Sequence, residues 1–252
     1  MGTFESFDGA KLSYDTDGDG VPVLLLHGFA TDVYTNWVRP GITDALNRAG
    51  FKTIALDQRG HGMSAKPHED EAYADEAMVK DAKALLDHLS LDRVLGLGYS
   101  MGARNLLSLI TIDERVRAAV LGGVGGNMLE AREFGSAISD AMLEEDKSKI
   151  TNNFARSFRD FADLTRGDRV ALAAVMRQSR PPLEGLDRIE VPVLILTADN
   201  DPLAHSPDKL AAAIPGARTA VVGGTHLNVV NNPEFHKVAV EFLSEHRELA
   251  NA

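Results

Sequence analysis

Runs of consecutive apolar residues recur at regular intervals along this 252-residue chain. Pro22-Val23-Leu24-Leu25-Leu26 is apolar at every position, the pattern of a strand covered on both faces. Similar runs lie at residues 53–56, 94–97, 118–121, 193–196 and 219–222. Helix-like segments separate them, near residues 36–49, 75–89, 101–110, 206–213 and 233–245. The last opens on Pro233, which suits a first helical turn. Strand and helix in alternation predict a mostly parallel sheet with helices on both faces. Ahead of it, residues 3–7 and 11–14 flank Asp8-Gly9, a pair that tolerates the positive φ of a tight turn, so the chain should open with a hairpin. The predicted fold class is α/β with an eight-stranded sheet.

Residues 127–188 break this rhythm, with acidic and amphipathic helical patterns such as 128–145 but no strand-like run. Gly122-Gly123-Val124-Gly125-Gly126 precedes the segment and Arg180-Pro181-Pro182 lies near its end, both of them breakers of regular structure. The expected organisation is one core domain, residues 1–126 and 189–252, carrying an inserted helical cap, 127–188.

Charge narrows the partners. Lys plus Arg number 26 against 37 acidic residues, a net −11 that repels a nucleic-acid backbone or an anionic membrane surface and leaves a small molecule as the expected partner. No stretch approaches the roughly 18 apolar residues of a membrane span, and no basic segment followed by an apolar run opens the sequence, so a cytoplasmic protein is expected. Cysteine is absent, which removes disulfides, thiolate metal sites and a cysteine nucleophile.

Candidate chemistry begins at Gly98-Tyr99-Ser100-Met101-Gly102, a Gly-x-Ser-x-Gly pattern. In a glycine-rich chain the pattern alone is weak. Its place between the apolar run 94–97 and a helical segment makes it a strand-to-helix turn that would expose the serine. A serine hydroxyl needs a base to take its proton and a carboxylate to orient that base. His226, in Gly223-Gly224-Thr225-His226-Leu227, follows the final strand, where a base would be carried on a loop. His236 and His246 fall in the terminal helix and should be surface residues, while His205 lies beyond the acid loop and could touch the site. The acid should follow the run 193–196, in Thr197-Ala198-Asp199-Asn200-Asp201-Pro202, and spacing does not separate Asp199 from Asp201. His27-Gly28-Phe29 follows the first buried strand, where the Phe29 N–H could turn toward a developing oxyanion and Met101 could offer a second N–H. His27 itself should fix its loop by hydrogen bonding. Asp57-Gln58-Arg59-Gly60-His61-Gly62-Met63-Ser64 lacks the lysine of a phosphate loop and should be a structural turn, with Asp57 and Arg59 in a local polar network.

Assembled, these segments resemble the α/β-hydrolase superfamily, specifically its capped esterase-like members, over nearly the whole chain. The resemblance implies a Ser100, His226 and Asp201 triad, because the family's acid usually stands three residues after the small residue closing the strand, here Ala198. It implies an oxyanion hole from the Phe29 and Met101 amides and no cofactor or metal. Family members cleave esters, lactones, thioesters, epoxides, haloalkanes or carbon–carbon bonds, and some show cofactor-free perhydrolysis. Haloalkane dehalogenases and epoxide hydrolases of this fold carry aspartate at the elbow, where this chain has Ser100. Two departures are conservative: Ala103 replaces a common second glycine, and Ala198 a common glycine before the acid.

The leading expectation is hydrolysis of a small, mostly apolar carboxylic ester through an acyl-serine. Alternatives are a lactone or carbon–carbon bond hydrolase using the same triad, or a non-catalytic ligand-binding member of the fold. Trp37, Phe134 and Phe158 are the expected substrate contacts. About a third of the cap residues Met128, Leu129, Phe134, Phe154, Phe158, Phe161 and Met176 should reach substrate, the rest packing cap on core. Arg104, four residues after Ser100, is expected to pair with an acidic residue at the surface rather than to meet a carboxylate substrate.

Overall fold

In the computed structural model, which describes residues 1–130, 135–178 and 180–251, the apolar runs become the centre of one sheet. Its strands are β1 (Gly2–Glu5), β2 (Lys11–Asp17), β3 (Val21–Leu26), β4 (Phe51–Asp57), β5 (Val94–Tyr99), β6 (Val116–Gly122), β7 (Val193–Asn200) and β8 (Arg218–Thr225). Their spatial order is β1-β2-β4-β3-β5-β6-β7-β8. β2 is antiparallel to both β1 and β4, and every later neighbouring pair is parallel. The sheet is thus eight-stranded and mostly parallel, as expected.

The two-residue period of a strand assigns each side chain to a face. Leu24 and Leu26 join one buried cluster, Val23 and Leu25 the other, and all four are fully buried. Flanking helices complete both layers. They are α1 (Ile42–Arg48), α2 (Ala77–His88), α3 (Met101–Ile112), α4 (Gly135–Leu143), α5 (Asn153–Leu164), α6 (Arg169–Arg177), α7 (Pro207–Ala213) and α8 (Pro233–Glu245). Leu85 of α2, Leu106 of α3 and Leu210 of α7 cover one face, and Leu46 of α1 with Phe235 and Phe242 of α8 cover the other. Each such side chain contributes about 1.5–3 kcal/mol by leaving water.

Two boundaries differ from the sequence reading. The opening hairpin turns earlier, because Ser6 and Ala10 close the turn (Ser6 N–H to Ala10 O, 2.9 Å) with Gly9 at φ +85°, which leaves Phe7 outside the strand. The helix expected over 36–49 is broken in two: a π-helical turn, Tyr34–Val38, precedes α1. Pro40 offers no N–H to continue the first piece, and Gly41 at φ +89° redirects the chain.

Between β6 and β7 lie the 3-10 turn Gly126–Leu129 and helices α4, α5 and α6. Asn152 and Asp168 cap α5 and α6 through their side-chain oxygens. Buried Arg159 donates to the carbonyls of Ala141 (2.8 Å) and Glu144 (2.5 Å), satisfying the end of α4. These helices share a third buried cluster with Phe29 and Met101, and the Thr165 hydroxyl donates to Ala30 O at 2.7 Å. The segment therefore rests on the loop after β3 and the start of α3. Among the described residues, no helix is long and apolar enough to cross a membrane.

Candidate active site

At the β5–α3 junction the backbone makes a turn that few residues tolerate. Ser100 sits at φ +51°, ψ −112°, a strained conformation costing on the order of 1–3 kcal/mol. Its neighbours must be glycine for a different reason, close approach. A Cβ on Gly98 would lie 2.6 Å from Ala103 Cα, and one on Gly102 would collide with the Leu26 and His27 carbonyls. Ala103, the departure from the family pattern, is fully buried in the core without displacing anything.

Ser100 Oγ lies 2.9 Å from His226 Nε2, and His226 Nδ1 lies 2.7 Å from Asp201 Oδ2. The chain of hydrogen bonds is internally consistent: Nδ1–H donates to the carboxylate, which leaves Nε2 to accept from the serine hydroxyl. Asp201 is held in turn, since its Oδ1 accepts from the amides of Leu203 (2.9 Å) and Ala204 (3.2 Å). Asp199 points elsewhere and accepts from Gly224 N–H at 2.9 Å, bracing the loop before His226. His205 is exposed, and His236 Nε2 and the Val230 carbonyl lie 2.7 Å apart. Half-buried His246 packs its ring against Phe242, so neither histidine of the terminal helix is the solvated surface residue expected.

Tyr99, inside the elbow, escaped sequence reasoning. Its hydroxyl donates to the His226 carbonyl at 2.5 Å and its ring lies 5.4 Å from the imidazole. Burial raises its pKa well above the usual tyrosine value, so it stays a donor. A network at the ends of β3 and β4 was only partly foreseen. His27 is fully buried, which lowers its pKa and keeps it neutral. Its Nε2 accepts from Gln58 N–H (3.0 Å), so Nδ1 carries the proton and donates to Gly28 O (2.7 Å). The Gly28–Phe29 peptide is trans, so a carbonyl drawn to His27 turns the Phe29 N–H to the opposite side. Asn36 Oδ1 accepts from Gly28 N–H at 3.0 Å, and Asn105 donates to Gln58 Oε1 at 2.7 Å.

Asp57 and Arg59 form the polar network expected of a structural turn. Asp57 accepts from the amides of Val33 and Met63, while buried Arg59 forms ion pairs with Asp81 and Asp8. His61, packed between His27 and Phe29, donates from Nδ1 to Arg59 O, and burial lowers its pKa to about 3. Among the described residues, no three His, Asp or Glu side chains gather to hold a metal ion.

A family model described as the alpha/beta hydrolase fold matches residues 21–165, from β3 through the elbow to the end of α5. The chain belongs to the α/β hydrolase fold family. Similar proteins include a non-heme chloroperoxidase of Kitasatospora aureofaciens, 24% identical over 94% of this chain and 98% of that protein. Among solved structures, a hydrolase from Pseudomonas aeruginosa superposes with TM-score 0.80 at 25% identity, covering 96% of this chain and 97% of that one. An esterase from Exiguobacterium antarcticum superposes with TM-score 0.79 at 21% identity, covering 96% and 99%.

In this α/β hydrolase, two cavities meet at Ser100. The first, about 680 Å³ including its open mouth, runs under the inserted helices and is lined by Phe29, Ile138, Phe154, Phe158, Met176 and Leu203, with Asn127, Gln178 and Arg180 on its wall. The second, about 840 Å³, opens on the His226 side. Phe158 lines both. Phe134 lies outside the described residues.

Trp37 requires a correction. The π-helical turn sends it into the core beside Leu46 and Phe235, where it is fully buried and reaches neither cavity, while Tyr34 and Val38 face outward. Met128 and Leu129 also pack on the core, whereas Phe154, Phe158, Phe161 and Met176 line cavity walls. Arg104 pairs with an acid, Glu76 (3.3 Å), but it is buried rather than superficial and also donates to Pro181 O at 2.9 Å. It lines neither cavity at Ser100.

Proposed function

We propose that this protein is a serine hydrolase cleaving a small, mostly apolar carboxylic ester through an acyl-Ser100 intermediate. The observation that carries the reading is the hydrogen-bonded chain from Asp201 through His226 to Ser100, ending beside a largely apolar cavity. In acylation, His226 Nε2 takes the Ser100 proton as Oγ attacks the ester carbonyl. The Phe29 and Met101 amides stabilise the oxyanion; Met101 opens α3 and has no carbonyl one turn back to engage its N–H. Asp201 holds the imidazolium, which returns the proton to the departing alkoxide as the ester C–O bond breaks. Water then attacks the acyl-enzyme with His226 again as base, releasing the acid and restoring Ser100. Phe158 contacts substrate, and no cofactor or metal takes part in these steps.

Ser100 at the elbow, with no aspartate there, supports acyl transfer over epoxide opening, and the esterase named above is consistent with it. A fluorophosphonate probe tests the reading. Stoichiometric labelling at Ser100, abolished in Ser100→Ala, is the expected result. An unreactive wild-type serine would instead leave a ligand-binding protein.

A further inference from the structure

The base of the triad has an attachment that the triad itself does not supply. His226 stands one residue beyond the edge strand β8, while Ser100 directly follows the central β5, so β6 and β7 lie between the two strands. Asp199 and Asn228 fix the β8 side of the loop, accepting from the Gly224 and Thr225 amides at 2.9 and 2.8 Å. Tyr99 reaches the loop from the centre of the sheet. Its hydroxyl donates to the His226 carbonyl at 2.5 Å, and its ring lies 5.4 Å from the imidazole.

The end of β6 leaves room for this reach. Gly122 stands directly across from Tyr99 in the ladder, and a Cβ there would lie 2.8 Å from the ring's Cδ2. A Cβ on Gly123, which sits at φ +65°, would lie 2.8 Å from Cζ and 3.0 Å from the hydroxyl. A side chain at either position would displace the ring, so the paired glycines serve the tyrosine as well as the chain's exit from the sheet. The ring is 5% exposed and meets Phe235 edge to face at 6.1 Å, which confines it further. Proton transfer requires Nε2 within about 2.6–3.2 Å of Ser100 Oγ and then of the leaving oxygen, and a misplacement of about 1 Å can cost roughly a hundredfold in rate. Asp201 orients the imidazole; it does not hold the backbone from which the imidazole hangs.

Resting on the serine-hydrolase reading, we infer that Tyr99 is a positioning residue for His226, tying the backbone of the base loop to the strand that carries the nucleophile, with Gly122 and Gly123 as the clearance that lets it reach. Tyr99 transfers no proton itself, since burial keeps its hydroxyl protonated.

Tyr99→Phe keeps the ring and removes the tether. It should lower kcat for butyrate esters on the order of tenfold, with KM within about twofold of wild type. Tyr99 also lines the second cavity, so the test varies the alcohol: methyl and pentyl butyrate should lose rate by the same factor, because one base serves both. The His226 Nδ1 proton, followed by NMR, should exchange with water faster in the variant, a signal that does not depend on turnover. Gly122→Ala, which keeps the hydroxyl but crowds the ring, should lower kcat likewise, and the double variant should be no worse than the poorer single one, as expected of two changes to one contact. A Tyr99→Phe kcat within about twofold of wild type overturns the assignment. So does a loss confined to pentyl butyrate, which would make Tyr99 a leaving-group contact, and so do losses that multiply in the double variant. A wild type that fluorophosphonate does not label overturns the serine-hydrolase reading instead, and proton exchange then still decides whether Tyr99 holds His226.

Discussion

Asp201→Asn should lower kcat by about four orders of magnitude, and the acid loop itself dictates why. One Asp201 oxygen accepts from the Leu203 and Ala204 amides, the other from His226 Nδ1–H at 2.7 Å. An asparagine keeps its single carbonyl oxygen where two backbone donors point, which turns its NH2 toward the imidazole. Two donors cannot face each other at that distance, so the ring moves its proton to Nε2. Nε2–H then donates to Ser100 and can no longer accept its proton. A ten-thousandfold loss corresponds to about 5.4 kcal/mol of transition-state stabilisation, the scale of a wrong-tautomer defect. Initial rates on p-nitrophenyl butyrate, with circular dichroism to verify folding and 15N chemical shifts to read the His226 tautomer, measure both halves of the argument. Asp199→Asn still offers Gly224 an acceptor and should cost less than tenfold. Asp201→Asn retaining more than a tenth of wild-type kcat, or losing activity with the proton still on Nδ1, would refute the reasoning.

Ser100→Ala should remove turnover by roughly a millionfold, and Ser100→Gly should do the same while raising stability by about 1 kcal/mol, since glycine relieves the positive φ; calorimetry and ester assays read both. His61 and His27 are held neutral by burial, with pKa values below those of the unfolded chain. The unfolded chain therefore binds more protons below pH 6.5, and stability should fall from there toward about pH 3, less steeply in His61→Asn. That is measurable as urea midpoints across the window. Short and medium neutral acyl groups should be preferred over an acyl chain ending in a carboxylate, compared as p-nitrophenyl esters, because burying an unpaired charge there costs several kcal/mol. A strong preference for the charged ester, lost in Arg180→Ala, would mean that Arg180 rather than the apolar wall governs the cavity.

The strands were legible because each buried β-strand is a continuous apolar run bounded by polar or glycine-rich sequence, as at 22–26 and 193–196. Ser100 and His226 were legible because a strand-to-helix glycine turn and a post-strand loop are local features. Asp199 and Asp201 were not separable by spacing: they stand two apart near a strand end, and only the path after Asp201 turns one carboxylate to His226. Trp37 misled because its direction depends on a π-helical turn that no short-range periodicity encodes.

His226 hangs from the outermost strand, whereas Ser100 rises from the middle of the sheet with β3 and β6 on either side. β8 pairs only with β7, and Val221 on it is 57% exposed. Edge elements with few buried apolar contacts open at lower free energy than central ones. Moderate denaturant should therefore separate His226 from Ser100 while the sheet still gives a native far-ultraviolet spectrum. If Ser100 and His226 act together as proposed, activity should be lost when the last strand detaches, before the core melts.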